Sequence, residues 1–168
     1  WEVPAEQIGR GRRWVPFVKG EEYARYYHDP SLVVLWEDDG KEIRNFRDGS
    51  GRVRSRPQSM DFYFREGLTW QRISVSQRTR TRFLPPGCIF DANGPCIFLS
   101  EPDDQTIFAL LGILNSSLAN LAMLTLTPDR SWQAGQMSCL PIAPAALRSE
   151  ELARAAREIH DLLAAWGT

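Results

Sequence analysis

The spacing of apolar residues changes partway along this 168-residue chain, from short clusters and alternations before about residue 100 to helical stripes after it. Leu32-Val33-Val34-Leu35-Trp36 is a continuous apolar run of the kind a buried strand needs, and Asp38-Asp39-Gly40 behind it is a turn. Ahead of it, Glu21 and Glu22 precede Tyr23-Ala24-Arg25-Tyr26-Tyr27. Acids in a first turn suit the helix dipole, so a short helix is predicted there, ended by Asp29-Pro30. Phe62-Tyr63-Phe64 and Thr69 to Val75 predict strands. In Thr79-Arg80-Thr81-Arg82-Phe83, β-formers alternate with long cations. Period two would put Arg78, Arg80 and Arg82 on one face of a strand and Thr79, Thr81 and Phe83 on the other. Pro85-Pro86-Gly87 breaks the chain. Cys88-Ile89-Phe90 and Cys96-Ile97-Phe98-Leu99 then read as paired strands around Asp91-Ala92-Asn93-Gly94.

From Asp104 the period becomes helical. Ile107 to Leu126 is almost unbroken apolar and long enough to raise the question of a membrane span. Asn115, Ser116, Ser117 and Asn120 in its middle argue instead for two core helices, with a break at Asn115-Ser116 where Ser116 caps the second. Leu140-Pro141-Ile142 is extended. Ser149 caps a last helix with Glu150 and Glu151 in its first turn, and Gly167 ends it. Leu152, Ala155, Ala156, Ile159, Leu162, Leu163 and Trp166 form its apolar stripe. The predicted class is α+β, with a small, twisted, mainly antiparallel sheet from residues 30–100 followed by packed helices. Residues 1–148 form the main domain and 149–168 an amphipathic connecting helix.

Charge sharpens this picture. The chain carries a formal net charge of −1, yet between Arg44 and Arg82 there are ten arginines, no lysine and three acids, Asp48, Asp61 and Glu66. Residues 47–59 hold two glycines, three serines, a proline and four arginines, which cannot build a core and predict an exposed, mobile basic loop. One basic face on a near-neutral protein points to a polyanion partner.

Catalytic signatures are scarce. No phosphate-binding GxxxxGK[ST], dinucleotide GxGxxG after a strand, GxSxG or HExxH occurs. The three cysteines, Cys88, Cys96 and Cys139, have no metal-ligand spacing and read as reduced thiols of a cytoplasmic protein, with His28 and His160 far from them in sequence. Glu37-Asp38-Asp39 reads as a solvated turn. The chain opens on Trp1 with no signal-peptide pattern and reads as a segment of a longer protein.

Several stretches occur together in a telling order. They are Phe17-Val18-Lys19-Gly20-Glu21-Glu22-Tyr23, Trp36-Glu37-Asp38-Asp39-Gly40-Lys41-Glu42-Ile43, Ser55-Arg56-Pro57-Gln58 and Phe62-Tyr63-Phe64-Arg65-Glu66-Gly67-Leu68-Thr69-Trp70. Gly87-Cys88-Ile89-Phe90-Asp91 with Gly94-Pro95, Leu111-Gly112-Ile113-Leu114-Asn115-Ser116 and Leu140-Pro141-Ile142 follow. From about Trp14 to Pro144 the chain resembles the region downstream of the catalytic domain in large adenine-specific DNA methyltransferases. The kinds it resembles are those of BREX-type phage defence and of fused restriction–modification enzymes. The resemblance implies a target-recognition domain for double-stranded DNA, joined to an upstream catalytic domain that binds S-adenosylmethionine and methylates a flipped-out adenine. The Asn-Pro-Pro-Tyr-type motif of such a catalytic domain is absent here, since Pro85-Pro86 follows Leu84 and precedes Gly87. The fragment is therefore expected to bind no cofactor and to be inactive alone.

In that setting Arg47, Arg52, Arg54 and Arg56 suit phosphate contacts. Arg78, Arg80 and Arg82 suit guanine edges, which a guanidinium grips in two places, while Gln58, Gln71 and Gln77 suit adenine edges, and Arg72 belongs to the same DNA-binding arginine ladder. Trp70 and Phe64 are assigned to the core. The competing assignment makes the arginines a solvated face and the chain a protein-interaction module whose final helix packs on a catalytic domain or partner. A nuclease fragment is disfavoured because no acidic metal motif is present.

Overall fold

The computed structural model describes residues 2–4, 13–20, 24–73, 78–101, 103–128 and 131–167. The architecture is α+β, two small sheets followed by packed helices. The first sheet contains β1 (Glu2–Pro4), β2 (Trp14–Val18), β3 (Leu32–Leu35) and β6 (Ile89–Phe90) in the order β1-β3-β2-β6. β3 is antiparallel to β1 and β2, whereas β6 joins β2 in parallel, Phe17 opposite Ile89. The second sheet, β5-β4-β7, is antiparallel throughout and is built from β4 (Gly67–Thr69), β5 (Arg82–Leu84) and β7 (Cys96–Ile97). A short helix, α1 (Lys41–Arg44), follows a 3₁₀ turn at Glu37–Gly40 in which Asp38, Asp39 and Gly40 all have positive φ.

The helices form as their sequence signals require. α2 (Asp104–Leu114) is capped by Asp103, whose carboxylate accepts from the Thr106 N–H at 2.9 Å. α3 (Ser117–Leu126) is capped by Ser116, whose hydroxyl accepts from the Ala119 N–H, and the two helices bend by 64° at the Asn115-Ser116 break. No single helix among the described residues is long and apolar enough to cross a membrane. Two four-residue helices, α4 (Ala134–Met137) and α5 (Pro144–Leu147), lead into α6 (Glu150–Trp166), capped by Ser149 and stopped by Gly167 at φ 63°. α2 is the central rod. Ile107, Phe108, Leu110, Leu111 and Leu114 are buried against Leu68, Trp70, Trp132, Met123 and the Ala153/Ala156 face of α6. Burial of each large side chain contributes roughly 1.5–3 kcal/mol. Gly112 lets α6 approach closely, since a β-carbon there would meet Leu152 Cδ1 at 2.9 Å.

Several local expectations are corrected. Residues 24–30 are not helical: Tyr26, at φ 69°, donates its N–H to Thr81 O and accepts from Phe83 N–H, so its backbone closes the free edge of β5. The Glu21–Tyr23 part of the predicted helix lies outside the described residues. Phe62-Tyr63-Phe64 is a turn following a 3₁₀ segment at Met60–Phe62, with Phe64 at φ 67°. The runs around Cys88 and Cys96 are extended but do not pair. The Asp91 carboxylate folds onto the Asn93 and Gly94 N–H groups, and the chain crosses there from β6 in one sheet to β7 in the other. Only Arg82 of the arginine ladder lies in a strand, while Arg78 and Arg80 precede it in irregular backbone beside the α2–α3 corner.

That corner is a buried polar junction. Asn115, 6% exposed, donates through Nδ2 to Thr81 O at 2.8 Å and Leu111 O at 3.0 Å. Its own carbonyl accepts from Arg25 Nη2 at 3.0 Å. Thr79 Oγ1 donates to Leu114 O, and Asn120 Oδ1 accepts from Thr79 N–H. Asn115→Ala removes two buried side-chain hydrogen bonds, while Thr81 O keeps the Tyr26 N–H and Leu111 O the residue-115 N–H, and is expected to cost about 1 kcal/mol. The midpoint of urea unfolding, at unchanged slope, measures it; an unaltered midpoint contradicts the junction's structural role.

Candidate nucleic-acid interface

Between the first sheet, the 54–59 segment and the β6–β7 crossover lies an open cleft of about 1090 Å³. Phe17, Val34, Trp36, Ile89 and Phe90 supply its apolar wall, Arg54 to Ser59 a lip, and Arg72, Asp91, Ala92, Pro95, Cys96 and Gln133 also line it. The wall is built by strand alternation, and most of it is core: Phe17, Val34, Trp36, Tyr63 and Ile89 belong to one buried cluster. Four of the sequence-predicted residues, Arg54, Arg56, Gln58 and Arg72, meet at this cleft.

Arg72 is held from both sides. Its N–H donates to Asn93 O at 3.2 Å and its carbonyl accepts from Trp132 N–H at 2.7 Å. Two residues earlier in this bonded run, Trp70 is fully buried and donates its indole N–H to Trp132 O at 2.7 Å, confirming it as core. Arg72 is half-buried, and its Nε has no hydrogen-bond partner among the described residues. Its backbone is thus fixed, while its buried Nε is a donor that a ligand in the cleft can satisfy.

The remaining predicted residues sort differently. Arg47 and Arg52 are exposed on the turn ahead of the cleft lip. Arg78 is exposed, Arg80 half-buried, and neither lines the cleft. Arg82 is only 2% exposed, a correction to its placement on a readout face. Tyr26 occupies the strand edge beside it, so a duplex has no access to that guanidinium. Gln71 is half-buried away from the cleft, and Gln77 lies outside the described residues. Sequence reasoning missed Asp91, Gln133 and the rings of Phe90 and Phe98 as cleft residues. The Asp91-Ala-Asn-Gly turn carried a signal for the first; Gln133, contributed by a distant segment, carried none.

The described residues thus define an α+β module with an arginine-lined cleft and, among them, no cluster of three His, Cys, Asp or Glu able to hold a metal. No family model matches the chain. Its relatives are adenine-specific methyltransferases. Methyltransferase PglX of Lacticaseibacillus casei (strain Zhang) is 34% identical over 140 residues, covering 83% of this chain and 11% of that protein. Methyltransferase BrxX of Escherichia coli O9:H4 (strain HS) is 27% identical over 155 residues, covering 92% of this chain and 12% of that one. The chain thus spans 11–12% of the length of the relatives it matches.

Tyr63, Cys88 and Cys96 are neutral at neutral pH. Burial, reinforced by the Asp91 charge, raises the Tyr63 phenol above its ordinary value, and burial alone pushes the Cys88 thiol up to about 11. Burial likewise pushes Cys96 up to about 12. Both thiols stay protonated in the fold and lack nucleophilic thiolate. A raised thiol pKa contributes stability below the ordinary value of 9.0 that is lost as pH climbs above it. Cys139, by contrast, is exposed. Thiol titration at pH 8 is expected to modify exposed Cys139 rapidly, partly buried Cys96 in the cleft more slowly, and buried Cys88 only after denaturation. Fast modification of all three in the native state contradicts the burial.

Proposed function

We propose that the chain is the sequence-reading module of an adenine-specific (N6) DNA methyltransferase of phage defence, BREX-type, or restriction–modification, and that it grips double-stranded DNA at the arginine-lined cleft. The observation that carries this reading is the meeting of Arg54, Arg56, Gln58 and Arg72 at one open cleft, in a chain whose relatives are adenine-specific methyltransferases. Arg54 and Arg56, exposed at the lip, meet phosphates and set the register of the duplex. Arg72, its backbone bonded at both N–H and carbonyl, presents its guanidinium to guanine N7 and O6, and Gln58, which also lines the cleft, suits an adenine edge. Arg47 and Arg52 extend the phosphate track, and Arg78 and Arg80 add positive surface near the α2–α3 corner. Methyl transfer and S-adenosylmethionine binding belong to the catalytic domain of the longer cytoplasmic parent, not to this module.

A second role is compatible with the first and has its own observation. The α6 stripe is only half covered: Ala153 and Ala156 are buried, whereas Ile159, Leu162 and Trp166 are 38%, 58% and 78% exposed. In this reading the uncovered end packs on the catalytic portion of the parent chain, fixing the reading module relative to the methyl-transfer site. Leu162→Asp and Trp166→Asp are expected to leave the melting temperature of the chain nearly unchanged and to abolish its co-purification with the remainder of the parent supplied separately. Undiminished co-purification counts against this packing.

The DNA-binding reading is tested by separating the two kinds of arginine. The pair Arg54→Ala/Arg56→Ala is expected to weaken binding to every duplex and to flatten the log–log salt dependence by roughly 0.9 per lost phosphate contact. Arg72→Ala is expected to erode preference for a target selected from a randomised duplex library over a scrambled one, by about 1–3 kcal/mol. If both variants match the wild type on every duplex, the cleft is not the interface.

A further inference from the structure

The turn that carries Arg47, Arg52 and Arg54 is almost wholly exposed, so no apolar packing shapes it. Four arginines between 47 and 56 would, left to themselves, repel one another and splay. One acid lies among them. Asp48 Oδ1 accepts from Ser50 N–H at 3.0 Å, Ser50 Oγ at 2.6 Å and Arg52 N–H at 3.0 Å. Its Oδ2 meets Arg54 Nε at 3.2 Å. The backbone closes the same loop: Asp48 N–H donates to Arg52 O, Gly51 N–H to Asp48 O and Arg54 N–H to Phe46 O. Arg47 pairs with Val53 as an isolated bridge, and its Nη1 donates to Gly51 O at 3.0 Å. Gly51, at φ +79°, supplies the left-handed step that this closure requires. The Ser50 hydroxyl and Arg52 N–H bonds hold the Asp48 carboxyl below its ordinary range, so it is charged at neutral pH.

We infer that Asp48 is a positioning residue for DNA binding: by bonding Ser50, Arg52 and Arg54 at once, it fixes the turn that presents Arg47, Arg52 and Arg54 toward the phosphate backbone at the cleft lip. The inference rests on the DNA-binding reading above. It runs against the first electrostatic expectation, in which an acid among phosphate-binding arginines only repels the ligand. Two features favour positioning. Three of the four contacts go to the turn's own backbone and hydroxyl groups, which shape the loop rather than neutralise it. The ion pair runs through Arg54 Nε, so it orients the guanidinium while its Nη1/Nη2 edge stays outside the pair.

The two possibilities predict opposite signs. If Asp48 only contributes negative charge, Asp48→Ala tightens binding and steepens the salt dependence. If it positions the turn, Asp48→Ala weakens binding by about five- to tenfold, the cost of losing ordered hydrogen bonds at an exposed turn. Asp48→Asn retains the Oδ1 acceptor without the charge and is expected to stay within about twofold of the wild type. The measurement is fluorescence anisotropy of the 168-residue chain and both variants on a short mixed-sequence duplex at two salt concentrations. Melting curves confirm that each variant is folded. Weak binding by Asp48→Ala with rescue by Asp48→Asn supports the inference. A wild-type chain that binds DNA while Asp48→Ala binds equally or more tightly overturns it and leaves the DNA-binding reading standing. Equal weakening of both variants overturns it too, since Asp48→Asn keeps the Oδ1 acceptor that shapes the turn. A wild-type chain that binds no duplex removes both.

Discussion

The backbone from Thr69 to Ile73 is bonded along both edges, and much of the structure hangs on that arrangement. On one side Trp70 N–H and Arg72 N–H donate to Pro95 O and Asn93 O; on the other, Arg72 O accepts from Trp132 N–H, and Ile73 bridges Ser131. The bond from the Trp70 indole to Trp132 O ties the strand into the helical core, where both tryptophans are fully buried. A single extended segment therefore anchors the β6–β7 crossover, seats the α2–α3–α6 layer and supplies the rigid base of Arg72. If the Trp70–Trp132 contact were lost, a helix-packing defect and a misplaced cleft cation would arise together. Stability and recognition are coupled at that point.

The second sheet depends on the same economy. Each of β6 and β7 has two residues, too few to stand as a hairpin, and each finds its partner in a different sheet. The crossover between them is fixed by the Asp91 carboxylate and by the approach of Gly20, where a β-carbon would lie 2.1 Å from Asn93 O. Val18, Leu84 and Cys88 fill the space between the sheets as a small separate cluster. The cleft is the groove that this offset leaves open, walled by the first sheet and floored in part by Cys96 and Phe98.

What could be read from the sequence follows the range of the interactions. Caps at Ser116 and Ser149, the Asn115-Ser116 break and the α6 stop at Gly167 act within one or two turns, and the structure has them where local chemistry puts them. Leu32–Leu35 needed only its own apolar run. Pairing between distant segments left no such trace. Nothing local to Tyr26 announces that its backbone will cap β5, yet that contact encloses Arg82 and removes it from the readout face that period two assigned to it. The period-two argument also needed an open strand at 78–82. Thr79 instead spends its N–H and hydroxyl on Asn120 and Leu114, which draws the segment into the helix corner. Of the candidate site, the 54–58 lip and Arg72 were visible as a basic run, while the rest of the lining came from segments up to the Gln133 region that no spacing rule connects.

Counting charges alone overstates the binding surface of such a chain, because several of its arginines are satisfied internally. Arg25 donates to Asn115 O and lies over the Tyr26 ring, and Arg65 donates to Leu99 O beside the rings of Phe62 and Phe98. Arg157 stacks over Phe108 at 4.1 Å while pairing with Asp104. Guanidinium groups suit this role since they are weakly hydrated and flat enough to lie on aromatic faces. The arginines of the chain thus include two populations, one cementing the fold through carbonyls, rings or a carboxylate, the other lining a cleft. Arg54 and Arg56 at the lip and Arg72 at the base belong to the second. The basic stretch is informative about a polyanion only after the first population has been subtracted, and the cleft cations are what remains.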